Sequence, residues 1–225
     1  MENNSKRIAK NTLFMYFRML FLLFISLFTV RVVLANLGVE DYGIYNLVAS
    51  VVVLFNFILN SSSAATSRYL NYALGENDLS RANSIYNCSF IIHFAIVFIV
   101  VILLDSVGLW LLNNYLVIPS NRMFAANCVF HLSVFTTALN ILNIPNHATI
   151  IANEKMSFFA IISIFEGILK LLSAYIISIS KFDKLIVYGL LITGTHILVF
   201  FVNLIYVKTK FSICRFKIVK DKNLY

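Results

Sequence analysis

Charge is scarce in this chain: 12% of its 225 residues are Asp, Glu, Lys or Arg, about half the share found in soluble globular domains. Cysteine is nearly as uninformative. Cys88 and Cys128 fall in or beside apolar runs and Cys214 lies near the C-terminus, so there is neither a disulfide framework nor a metal-ligand spacing. The phosphate-cradling G-x-x-x-x-G-K-[ST], the zinc-binding H-E-x-x-H, C-x-x-C and the nucleophile elbow G-x-S-x-G are all missing. No D-x-D or other close carboxylate pair is available to hold Mg²⁺ at a membrane surface, apart from Glu40–Asp41 in a tight turn. An enzyme acting on lipid phosphates needs several charged groups converging at one interface. These absences argue for a non-enzyme with no cofactor and no bound metal.

Apolar residues are abundant, at 60% of the chain, with a mean hydropathy of +0.85. Six runs have bilayer-crossing length: Leu13–Leu37, Ile44–Ala65, Ile85–Leu104, Met123–Ile144, Phe158–Ile179 and Leu185–Val207. They predict an all-α integral membrane protein, a six-helix bundle over residues 13–207 between a short tail (1–12) and a basic tail (208–225). The first run is too long, and too polar at its far end, for a cleavable signal peptide.

The net charge of +8 is distributed as a membrane protein distributes it. With the N-terminus inside, the cytoplasmic stretches hold Lys6, Arg7, Lys10, Arg68, Arg81, Lys155 and the six cations of the C-terminal tail. Only Arg122, Lys181 and Lys184 lie on the outer side. This positive-inside bias places both termini in the cytoplasm. The tail is then expected to meet anionic headgroups, not nucleic acid.

The most informative stretch is PNHATIIANEKMSFFAIISIFEGILKLLSAYIISIS, Pro145–Ser180. Glu166 and Lys170 fall about 12 and 18 Å along the helix from Phe158, near the centre of a hydrocarbon core about 30 Å thick. A charge there costs about 2.5–3.5 kcal/mol, so both groups are expected to face protein or water. Their i, i+4 spacing with the acid first lets them meet, and Ser163 and Ser173 share their side of the helix. In the second run Asn46, Ser50, Asn56, Asn60, Ser63 and Ser67 form a stripe, readable as interhelical hydrogen bonding or as a hydrated wall. Arg18 reads as a snorkelling anchor, and Arg31 as either an anchor or a cavity group. His93 reads as a satisfied packing residue, and His147, beyond Pro145, as a solvated loop histidine. Gly38 is expected to stop the first helix, with Asp41 capping the next and Tyr42 and Tyr45 at interfacial depth. Gly75 is expected to end the second helix and Asn77 or Asp78 to cap the third.

Three stretches, TVRVVLANLGVEDYGIYNLVASVV, SRYLNYALGENDLSRANSIYNCS and IPNHATIIANEKMSFFAIISIFEGILKLL, resemble the N-terminal half of Wzx-like polysaccharide (O-antigen, lipid-linked oligosaccharide) flippases of the MOP exporter superfamily. The likeness covers essentially the whole chain. It implies one six-helix lobe of a two-lobed, MATE-like transporter in a bacterial inner membrane. Such a carrier moves undecaprenyl-diphosphate-linked sugars by alternating access. On this resemblance Arg31, Asn56, Asn60, Glu166 and Lys170 are the expected cavity wall. Relatives are about twice as long, so the chain is expected to be a fragment, a truncated remnant or a lobe that pairs with another. The alternatives are half of a small-molecule exporter and, from a different class, a membrane-integral glycosyl transferase or polymerase.

Overall fold

The computed structural model describes residues 2–53, 56–211 and 214, with side chains for 9, 11–51, 61–211 and 214. Among the described residues it is all helix. The elements are α1 (Glu2–Val53), α2 (Asn56–Gly75), α3 (Leu79–Leu103), a π-turn (Leu104–Gly108), α4 (Leu109–Asn114), α5 (Met123–Leu142), α6 (Ile144–Ala152), α7 (Met156–Ile176), a 3₁₀ turn (Ile177–Ile179) and α8 (Lys184–Lys210). Among the described residues, five helical stretches are long and apolar enough to cross a membrane: Asn11–Val51, Leu79–Asn114, Met123–Ala152, Met156–Ile179 and Lys184–Lys210. The chain is a multi-pass membrane helical bundle.

Two differences from the sequence expectation have local causes. The expected second span, Ile44–Ala65, has no single counterpart among the described residues. Its first part continues α1, residues 54 and 55 lie outside the described residues, and its last part opens α2. Gly38 nevertheless interrupts α1, at φ 80 and ψ 170, a backbone conformation open to glycine alone. The third span runs further than expected. The π-turn adds a residue without breaking the rod, so α3 continues through α4 to Asn114. Asp105 therefore lies inside a membrane-length helix, and Glu166 is not the sole acid placed there.

The helix boundaries follow the expected chemistry elsewhere. α2 ends at Gly75, Asn77 turns the chain at φ 58, and the Asp78 side chain caps α3 by accepting from the Arg81 N–H at 2.9 Å. Pro145 has no N–H to give to the α5 ladder. The helix accordingly ends at Leu142 and restarts as α6 with the proline in its first turn.

α1 lies along α7, α5 packs on α8 and α3, and α2 rests on α3 and α6. One core joins Ile44 and Val48 of α1 to Val100, Leu104, Leu112, Val129, Phe130 and Leu185. Here Gly108 is required by close approach, since a Cβ on it would meet the Phe130 ring at 2.6 Å. Tyr45, expected at the interface, turns inward and stacks edge-on against Tyr188 at 5.0 Å. A second core gathers Ala73, Ala82, Tyr86, Ile150 and Val207 around Cys214, whose thiol burial pushes up to about 12. Most of the remaining large apolar side chains, such as Leu13, Phe17, Leu20 and Phe24 of α1 and Phe94 and Phe98 of α3, are exposed, as a lipid-facing belt requires.

Candidate functional site

Between α1, α5, α7 and α8 lie two neighbouring cavities that form a groove, its walls largely apolar with polar and charged side chains set into them. One, of about 380 Å³, lies between α1 and α7 and is lined by Arg18, Ser26, Thr29, Ser163, Glu166 and Lys170 among others. The second, of about 270 Å³, is lined by Thr136, Thr137, Asn140, Thr193 and His196, with Thr29 and Lys170 again. Thr29 and Lys170 line both, so the two are adjacent. Gly167 lets α1 approach α7 here, because a Cβ would fall 2.7 Å from the Leu22 side chain.

The expected pairing of Glu166 and Lys170 is present: Lys170 Nζ donates to Glu166 Oε1 at 2.6 Å, with both side chains partly buried. A third charge-capable group joins from α8, where His196 Nε2 lies 4.0 Å from the same Glu166 oxygen. The other ring nitrogen, Nδ1, lies 3.1 Å from Asn140 Oδ1. That oxygen only accepts, so it assigns the proton to Nδ1 and leaves Nε2 bare in the neutral ring. Arg18 completes the wall. Its guanidinium stacks over Phe159 at 4.6 Å, and its Nε is buried without a hydrogen-bond partner. The expected snorkelling anchor is thus a groove residue, drawn to α7 by an aromatic face in the next turn.

Beside the groove, towards the core around Cys214, lies a second polar network that the sequence reading missed. His147 is not a solvated loop residue. It sits on α6, packs edge-on against Phe159 at 5.4 Å, and its Nε2 accepts from Asn143 Nδ2 at 3.1 Å and Asn203 Nδ2 at 3.0 Å. Asn146 donates to Asn143 Oδ1 at 3.2 Å, and the Tyr86 hydroxyl donates to Asn146 Oδ1 at 2.9 Å. Every member has a partner, so the network fixes the mutual positions of α3, α6 and α8. The available signal was Pro145. A helix restarted by proline brings the residues after it back into the bundle.

Arg31, Asn46 and Ser50 do not line the groove. Arg31 is exposed on α1, and Asn46 and Ser50 are exposed and bonded to their own helix at Tyr42 O and Leu47 O. The side chains of Asn56 and Asn60 lie outside the described residues. His93 is the satisfied packing residue expected of it, 1% exposed and held by Ser62 Oγ at 2.7 Å and the Ser89 carbonyl at 2.6 Å.

An ion cluster with no counterpart in the sequence reading ties α1 to the starts of α5 and α8. Arg122, at the start of α5, donates Nε and Nη2 to the two oxygens of Asp41 at 2.7 and 2.6 Å. It also donates Nη1 and Nη2 to Asp183 at 2.5 and 3.2 Å. Asp183 caps α8 by accepting from Leu185 and Ile186. Asp41, expected to cap a helix, instead gives its carboxylate to Arg122. Burial alone raises the Asp183 pKa, but the Arg122 hydrogen bond, the Ile186 N–H and the Arg122 charge outweigh it, so the carboxyl titrates below its ordinary range. The same bonds raise Arg122.

No protein-family model, curated protein sequence or solved structure matches the chain.

Proposed function

We propose that the chain is the N-terminal lobe of a Wzx-like flippase, which passes an undecaprenyl-diphosphate-linked oligosaccharide across a bacterial inner membrane. The reading takes the Gly38 break as the boundary between a first and a second span. The bundle is then a six-span lobe with both termini in the cytoplasm, and it rocks against a second lobe to alternate access. The observation that carries it is the groove: Arg18, Lys170, Glu166 and His196 line a cavity at membrane depth among hydroxyl side chains. Groups so costly in hydrocarbon are retained where a polar solute passes. The cations suit a diphosphate, and the hydroxyl and amide groups suit sugars. Arg31, Asn46 and Ser50, exposed on this lobe, are the groups that face the second lobe across the shared path.

The test is rescue of surface polysaccharide in cells lacking their own flippase, by the chain alone and by the chain joined to a C-terminal six-helix lobe. Rescue by the joined form is expected, with loss when Lys170 is changed to Ala. A joined form that inserts normally and restores no polysaccharide contradicts the proposal.

A further inference from the structure

A polar pair outside the groove points sideways from the bundle. The π-turn places Asp105 on its outward side while Leu104 and Gly108 stay buried, and His131 of α5 lies beside it, Nδ1 to Oδ1 at 3.4 Å. Both side chains are about half exposed, 56% for His131 and 44% for Asp105. By the helical rise His131 is about 14 Å inward of Arg122, so the pair sits within the membrane and not at its surface. π-turns inside helices are frequent at functional positions. An exposed aspartate facing lipid costs about 2.5–3.5 kcal/mol, which is the reason to ask what covers it.

We propose that a second copy of this chain covers it, in a two-fold contact within the membrane. The argument is self-complementarity. Each face carries one acid and one base, and with Nδ1 and Oδ1 turned to each other the remaining groups are a ring nitrogen, Nε2, and a carboxylate oxygen, Oδ2. A two-fold axis along the membrane normal brings Asp105 of each copy to His131 of the other, as an isologous contact requires. It also demands that the two residues share one depth, and 3.4 Å is close enough. The surrounding surface suits a helix contact. Phe124, Cys128, His131 and Phe135 fall within about 60° on α5, and both phenylalanines are exposed. The contact is independent of the transport reading, since it lies on the opposite side of α5 from Thr136 and Asn140.

Cys128 provides the test. In membranes holding the full chain with Cys88→Ser and Cys214→Ser, a short bifunctional maleimide is expected to link Cys128 to Cys128 and give a dimer band. Asp105→His leaves two bases on the face and His131→Asp leaves two acids. Each chain alone is expected to lose about tenfold in linked product, the scale of one interhelical polar contact. The two co-expressed under different tags are expected to regain it as a mixed dimer. Asp105→Ala with His131→Ala removes both polar side chains and serves as the comparison where either single change lowers the inserted yield. The proposal is overturned by a wild-type dimer band no stronger than that of the double-Ala chain. Failure of the mixed pair to link at normal yields overturns it too, as does capture of Cys128 by a protein of another mass in place of the dimer.

Discussion

Arg122→Ala is expected to give the largest loss of stability of any single substitution in this chain. The guanidinium makes four charge-assisted hydrogen bonds to Asp41 and Asp183, joining α1 beyond Gly38 to the first turns of α5 and α8. Removing it leaves two carboxylates close together with no cation between them. Breaking a partly desolvated network in this way costs on the order of 3–5 kcal/mol. Arg122→Lys keeps the charge but cannot fork to two carboxylates, so it is expected to fall between wild type and Ala. The pH dependence has a definite sign. Asp183 has a depressed folded pKa, so its contribution is present above the unfolded value of about 3.9 and is lost as pH falls through the folded one. Thermal unfolding in detergent is expected to show wild type losing stability below about pH 4, with a flatter profile for Arg122→Ala. Equal midpoints for the three chains at neutral pH would remove the cluster from the account.

The second large effect is expected at the pair in the groove. Lys170→Ala leaves Glu166 without its hydrogen-bonded cation and with the His196 ring at 4.0 Å, which has no proton on the facing nitrogen when neutral. Lys170→Ala with Glu166→Ala removes both charges. The single change is therefore expected to lower folded yield and unfolding midpoint more than the double one. The coupling energy expected for groups in direct contact is about 0.5–3 kcal/mol. Additive losses around the cycle would mean that the 2.6 Å contact contributes nothing to the folded state.

How far the sequence carried depended on whether the decisive contact was local. The Glu166–Lys170 bond, the ends at Gly75 and Asp78 and the break at Gly38 are all set within a turn or two of helix, and pattern alone revealed them. The contacts that place α5 and α8 are not local. Arg122 meets residues 81 and 61 positions away, and His196 meets Asn140 across 56. A legible hint existed in the expected topology, which put Asp41, Arg122 and Asp183 at turns on one and the same side, with unlike charges and few competitors. Arg18 was misplaced for a related reason. Depth along the helix allowed it to snorkel, but only the packing of α1 on α7 brings Phe159 beneath it. Asp105 was missed because no pattern in LDSVG announces that a π-turn carries the rod onward to Asn114.

The groove is the central claim, and water access measures it most directly. Single cysteines at Ser163 and Thr193, in a chain whose native cysteines are replaced, should react with a membrane-impermeant thiol reagent in intact or inverted vesicles. The same replacement at the lipid-facing Phe94 or Phe98 should not. Reaction at the groove positions alone is the predicted result. Labelling at Ser163 and Thr193 no faster than at Phe94 would mean that this face is dry, and a dry face cannot pass a sugar.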